Sequence, residues 1–194
     1  LLLLCTFFPS CLRLIVWRML GFRVGQNCRV SICSVVVAES IELGPGCVIE
    51  PLTLVYRPQR LQMGERSRIA SFVRIVGRRG SLVLTSQNFI ALGCLIDTSE
   101  DVQIGSRSQI GPRSILYTHG GSGLTFNRGY PRRSGSICIG EDVWIAMQTT
   151  IQPRVSIGDR VIVLPGLTVR KNIPDGTGVI PAVQEHRLIP LGGI

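Results

Sequence analysis

The chain is nearly without lysine and histidine. Lys171 is its one lysine, so the net charge of +9 rests on arginine, and His119 and His186 are its only histidines. Two histidines exclude a site built on three imidazoles. Seven cysteines, odd in number and without a CxxC pair, support neither a zinc cluster nor a disulfide framework, so no metal is expected and a reducing, cytoplasmic setting is. Aromatic residues make up 6% of the chain, and two tryptophans and three tyrosines are too scattered for a base-stacking platform. The basic charge therefore points to the phosphates of a cofactor or to a membrane face, and no nucleic acid is expected.

Long apolar runs are missing as well. Residues 1–22 (LLLLCTFFPSCLRLIVWRMLGF) are apolar, but Pro9, Arg13 and Arg18 interrupt them, and a spanning helix needs about twenty apolar residues. No small-residue cleavage site of a signal peptide is visible. The segment reads instead as a helix capped by Ser10 and ended by Gly21, with Leu12, Ile15, Val16, Met19 and Leu20 on one stripe. Such a helix would cover the open end of a repeat core. Its arginines also suit it to peripheral contact with a membrane interface.

What the chain does have is a six-residue rhythm. From Ile139 it reads IGEDVW, IAMQTT, IQPRVS, IGDRVI, VLPGLT and VRKNIP, with an aliphatic residue at 139, 145, 151, 157, 163 and 169. A helical period of 3.6 would scatter those positions, whereas a short strand and a turn fill six residues and return the same face inward each time. The fifth position is restricted too, being Val143, Thr149, Val155, Val161, Leu167 and Ile173. Earlier aliphatic triplets stand at Val24, Val30 and Val36; Leu43, Ile49 and Val55; Met63, Ile69 and Ile75; Leu84, Ile90 and Ile96; and Ile104, Ile110 and Leu116. They begin 19, 20, 21 and 20 residues apart rather than 18, so one corner of each early coil carries extra residues. Cys28, Cys47 and Cys94 fall at the fifth position and read as small buried hydrophobes. About seven coils are expected, a stack on the order of 30 Å tall at roughly 4.8 Å per layer.

One interval breaks the rhythm. From Ile104 to Ile139 there are 35 residues, about 15 more than a coil requires. The insertion, YTHGGSGLTFNRGYPRRSGS over 117–136, is rich in glycine and serine and carries Arg128, Arg132 and Arg133. A loop this long in a regular repeat is usually functional or disordered. His119 stands at its entrance. By register Ser99 lies one coil below, with Asp97, Glu100 and Asp101 close by, and Arg154 one coil above. His186, in QEHRLIP, reads as a solvated tail residue.

The run IGEDVWIAMQTTIQPRVSIGDRVIVLPGLTVRKNIPDGT resembles the C-terminal coils of the hexapeptide-repeat acyltransferases, such as the galactoside, maltose and xenobiotic O-acetyltransferases. The resemblance extends over about residues 20–180 and implies an all-β fold, a left-handed parallel β-helix with three hexapeptides to a triangular coil. On that pattern residues 1–22 form the terminal helix, 23–180 the β-helix with the loop 117–136 protruding, and 181–194 a tail. The left hand comes from the resemblance alone, because parallel strand connections are ordinarily right-handed.

In those enzymes a histidine at the end of a coil, immediately before a long loop, is the general base, and ILYTH places His119 there. An alcohol attacks a thioester slowly unless a base titrating near neutrality takes its proton, and imidazole is suited to that. A partner to orient His119 is sought among its neighbours, and Asp97 matches an acidic position that the sugar acetyltransferases keep on the coil below their histidine; Asp97 and Ser99 are expected at the acceptor site, while the run DTSED also fits an ordinary turn. The donor in the family is acetyl-coenzyme A, held in a groove between subunits of a homotrimer. Its matching positions here are Trp144, Ile145 and Ala146, Pro165 and Gly166, and Arg170 and Lys171. The chain departs from the pattern at Ala146 and Leu164, where glycine is common, at Pro165, where alanine is common, and at GVIPAV, where a GNPAK-like segment is common. The larger side chains would narrow the pantetheine groove.

The opening RLIVWRMLGFRVGQNCRVSI is similar to members that decorate cell-surface polysaccharide, so acetyl transfer to a sugar hydroxyl is the expected activity. A carbonic anhydrase on this fold needs three histidines, and a serine acetyltransferase a large helical domain ahead of the coils. The remaining rival is a solenoid that keeps the repeat as a scaffold without the chemistry.

Overall fold

The computed structural model describes residues 4–120 and 133–181. The chain winds up a triangular prism whose three sides are parallel sheets of very short strands. The first row holds Arg23–Val24, Ser40–Leu43, Arg60–Met63, Leu82–Leu84, Val102–Ile104, Ile137–Ile139 and Ser156–Ile157. The second runs from Arg29–Val30 through Trp144–Ile145 and Ile162–Val163 to Gly178–Val179, and the third from Val35–Val37 through Leu95–Asp97 and Ile115–Leu116 to Thr168–Val169. This is a left-handed parallel β-helix of about seven coils.

Each row is a column of aliphatic side chains in register. Leu84 pairs with Ile104, Ile104 with Ile139 and Ile139 with Ile157, while Ile110, Ile145 and Val163 stack in the second row and Leu116, Ile151 and Val169 in the third. Strands of two to four residues hold because each inward side chain is removed from water on every side. Burying one such side chain contributes about 1.5–3 kcal/mol.

The first corner, between rows one and two, turns through one residue of positive φ in each coil: Asn27, Gly46, Arg66, Gln87, Arg107, Asp142, Arg160 and Gly176. The second corner does the same at Cys33, Leu52, Phe72, Gly93, Arg113, Gln148 and Gly166. None of these is β-branched, the type most strained in that conformation. The rows between them are rich in valine and isoleucine. Side chains just inside these corners also donate to the coil above: Cys47 Sγ to the carbonyl of Gly64 (3.0 Å), Cys94 Sγ to that of Gly111 (3.1 Å) and Ser108 Oγ to that of Gly140 (2.8 Å). The buried thiols thus donate hydrogen bonds as well as filling space. Burial pushes both the Cys47 and Cys94 thiols up to about 11, which leaves them protonated and unreactive at neutral pH.

The helix α1 (Ser10–Met19) follows a 3-10 turn at Leu4–Phe7 and covers the lower end of the prism, but not with the expected stripe. Its packed face is Arg13, Leu14 and Trp17, whereas Leu12, Ile15, Met19 and Leu20 point outward and Val16 is half-buried. The bottom coil presents backbone acceptors as well as aliphatic ends, and the Arg13 guanidinium meets them. It donates to the carbonyls of Ser31 (3.3 Å) and Ser34 (3.0 Å) and to Ser34 Oγ (2.9 Å). Ser10 does not cap the helix either. Pro9 holds that position with no side-chain bond, and Ser10 Oγ instead accepts the N–H of Val30 (3.0 Å). Gly21 does end the helix, at φ +86°, with its N–H on the Arg18 carbonyl and that of Phe22 on the Trp17 carbonyl. No helix among the described residues is long and apolar enough to cross a membrane.

Candidate active site

The third corner, between rows three and one, has no fixed form, and the residue singled out by the broken rhythm lies on it. After Leu116 the chain leaves the third row, and His119–Gly120 pairs antiparallel with Arg133–Ser134 to close the base of the insertion. The ribbon is tied to the prism by the Gly135 N–H on the Thr118 carbonyl (2.9 Å) and by Arg154 Nε on the Ser134 carbonyl (2.8 Å). Arg128 and Arg132 in the insertion, and His186 in the tail, lie outside the described residues.

Asp97 ends the strand Leu95–Asp97, one coil below His119. Its Oδ2 lies 2.6 Å from His119 Nδ1 and also accepts the backbone N–H groups of Thr118 and His119 (3.0 Å each) and the Thr118 hydroxyl (2.7 Å). Its Oδ1 accepts the N–H (3.1 Å) and hydroxyl (2.8 Å) of Ser99. Burial of this carboxyl, 5% exposed, raises its pKa. The hydrogen bonds from Thr118, His119 and Ser99, with the charge of the imidazole, outweigh that and hold it below the ordinary 3.8. An ionised carboxylate accepts only, so the neutral imidazole carries its proton on Nδ1 and keeps its lone pair on Nε2. The Tyr117 ring flanks the imidazole at 5.4 Å between centroids. The histidine side chain is 39% exposed, open to a substrate, while Asp97 is buried with both oxygens occupied. Of the candidates for orienting His119, it is Asp97 that meets the ring.

The donor-site positions are spread around the prism. Trp144 stands half-exposed on the second row, and Pro165 and Gly166 are exposed at the second corner. Ile145 and Ala146 are buried, so they offer only backbone outward. Arg170 and Lys171 are exposed at the third corner, two coils above His119, and line a cavity of about 360 Å³ with Leu167, Asn172 and Ile180. The chain does not gather these positions into a single groove.

A cleft of about 300 Å³ beside His119 is lined by Gly77, Arg78, Arg79 and Ser99. Neither arginine stands among the site residues expected from the sequence. The signal available was the longest early spacing, 21 residues from Met63 to Leu84, which falls at that corner. Among the described residues no group of histidine, cysteine and acidic side chains could hold a metal ion.

Residues 139–171 match the family model of the bacterial transferase hexapeptide (six repeats). The chain is 31% identical over 121 residues to the Bacillus subtilis (strain 168) protein named "Putative acetyltransferase YvoF", a match covering 58% of this chain and 67% of that one. It is 24% identical over 153 residues to the bifunctional protein GlmU of Listeria welshimeri serovar 6b, covering 78% of this chain. That match spans 28% of the length of GlmU. Among solved structures the fold is similar to that of AntD, an N-acyltransferase from Bacillus cereus in complex with dTDP and 3-hydroxybutyryl-CoA. The TM-score is 0.56 at 21% identity, over 85% of this chain and 81% of that one.

Proposed function

The chain belongs to the hexapeptide-repeat acyltransferases, and we propose that it transfers the acetyl group of acetyl-coenzyme A to a hydroxyl of a sugar. The observation that carries the reading is the His119–Asp97 pair at the mouth of the insertion. Asp97 holds the Nδ1 proton and the ring orientation. Nε2 takes the proton of the acceptor hydroxyl as its oxygen attacks the thioester carbonyl, and a backbone amide stabilises the developing oxyanion. The proton then passes from Nε2 to the departing thiolate, so the acetyl ester and free coenzyme A leave with the histidine neutral again.

The name of the B. subtilis relative supports an acetyl group. AntD, found with coenzyme A and dTDP-4-amino-4,6-dideoxyglucose, supports a thioester donor and a saccharide acceptor. Association into a homotrimer is supported by a column of exposed apolar side chains along the second corner, Ile32, Leu52, Phe72, Leu92 and Met147, which a partner subunit would cover. A monomeric mass by light scattering at micromolar concentration would remove the trimer. The outward stripe of α1, with Phe7 and Phe8 exposed beside it, supports peripheral membrane contact, which sedimentation with liposomes tests.

His119→Ala should lower the rate by about two to four powers of ten while leaving the affinity for acetyl-coenzyme A, read by calorimetry, unchanged. Lys171→Ala should weaken donor binding in a salt-dependent way and keep turnover at saturation. Full activity of His119→Ala against a confirmed acceptor would overturn the proposal in favour of the scaffold.

A further inference from the structure

The third edge of the prism carries two pairs of cations, one on either side of His119. Arg170 and Lys171 stand two coils above it, and Arg78 and Arg79 two coils below, each offset by about 10 Å along the prism axis at roughly 4.8 Å per coil. The upper pair faces the direction assigned to the donor. The lower pair shares a cleft with His119 and Ser99.

The mount of Arg78 and Arg79 is rigid. Gly77 and Gly80 bracket them, and a Cβ at either would come within 2.2 Å of the Thr98 backbone or 2.1 Å of the Glu100 backbone. The Gly80 N–H donates to the Thr98 carbonyl (2.9 Å), the Gln59 N–H to the Gly80 carbonyl (3.0 Å), and the Ser81 N–H to Asp101 Oδ1 (2.8 Å). The corner is therefore pressed onto the coil above and fixed at both ends, with two exposed guanidinium side chains at its tip. Among the described residues neither arginine has a salt bridge. The nearest acids in sequence register are Glu100 and Asp101, the latter already engaged with Ser81. Two guanidinium groups without a salt bridge among the described residues, carried on a fixed backbone in the same cleft as His119, suit a planar or tetrahedral anion.

We propose that the acceptor is an anionic saccharide, and that Arg78 and Arg79 bind its carboxylate or phosphate while its hydroxyl faces His119. This rests on the reading of His119 as the general base. The pair sets specificity by holding the acceptor, and takes no part in the proton transfer.

The test uses the full chain loaded with coenzyme A and three probes: galactose, which is neutral, glucuronate, which carries a carboxylate, and UDP-glucose, which carries a pyrophosphate. Calorimetry should show that the wild type binds at least one of the two anionic probes about ten-fold or more above galactose, a preference that Arg78→Ala/Arg79→Ala abolishes. Which probe is preferred distinguishes the carboxylate from the phosphate. In turnover the double variant should raise the KM of that acceptor about ten- to a hundred-fold, with kcat within about two-fold. A control, Arg66→Ala/Arg113→Ala, removes the same charge from the other two corners and should leave the preference intact. Equal binding of all three probes by the wild type, or a preference that survives in the Arg78/Arg79 variant, overturns the proposal. An active His119→Ala instead overturns the underlying reading, and the two failures are distinguishable because binding is measured apart from turnover.

Discussion

At its first and second corners the prism turns through one residue of positive φ in each coil, from Asn27 to Gly176 and from Cys33 to Gly166. At its third corner the connection ranges from residues 38–39 to residues 117–136. The difference follows from what lies beneath each turn. A regular corner sits on its counterpart in the coil below, and several are stitched to it by a thiol or hydroxyl, so an extra residue would break a stack in both directions. At the third corner the connections differ in length while the aliphatic columns on either side stay in register. All of Arg78, Arg79, Asp97, Ser99, His119, Arg170 and Lys171 fall on that edge or at the strand end leading into it. Two edges hold the fold and the third is free to vary in chemistry.

The sharpest way to break this division is from inside. Ile151→Asp puts an unpaired carboxylate into a fully buried column, at a cost of several kcal/mol, comparable to the whole stability of a domain of about 5–15 kcal/mol. A soluble variant with a cooperative thermal transition would show that the columns do not carry the fold.

Asp97→Asn touches the variable edge and should lower kcat by roughly two to four powers of ten while the protein still folds. It also has a pH signature. The folded carboxyl titrates below its ordinary 3.8, so its contribution to stability is full above that pH and is lost as pH falls through the lower folded value. The gap in urea midpoint between wild type and variant should be constant from about pH 7 to 5 and close below pH 3.8. A gap that persists unchanged at low pH would mean that the charge is not what the network holds.

Two glycine substitutions sharpen the contrast at smaller scale. Gly77→Ala drives a Cβ to 2.2 Å from the Thr98 backbone and should cost about 1–3 kcal/mol, since the third corner varies in length yet is clamped where it carries arginines. Gly46→Ala, at φ +72° with its nearest neighbour 3.6 Å away, should cost only about 1 kcal/mol. Chemical denaturation of both variants checks the order, and a reversal would mean that the regular corners are the tighter ones.

The columns were legible because each member is aliphatic and stands at a fixed interval, and His119 because it opens the one interval that fails. Other parts leave no periodic trace. Strand register puts Ser99 level with His119, but the Asp97 side chain reaches the ring diagonally, and diagonal reach is invisible to spacing. The apolar stripe of α1 predicted amphipathicity correctly and assigned it to the wrong face, because Arg13 is buried by acceptors at Ser31 and Ser34 that lie far along the chain. Arg78 and Arg79 come to the histidine's cleft only through the fold. The positions expected to hold the donor sit at different corners, and no single period marks them out.

The arginine of α1 also orders events in folding. A guanidinium stays charged at any ordinary pH, and burying it without acceptors is prohibitively unfavourable. The Arg13 acceptors exist in position only once the first coil has turned at Ser31 and Ser34. The helix can therefore dock only on a coil that is already formed, and the cap works as a check on its completion. Cap and first coil should exchange their amide hydrogens as one unit, and Arg13→Met, which removes the conditional step while keeping the apolar stem, should let the two part.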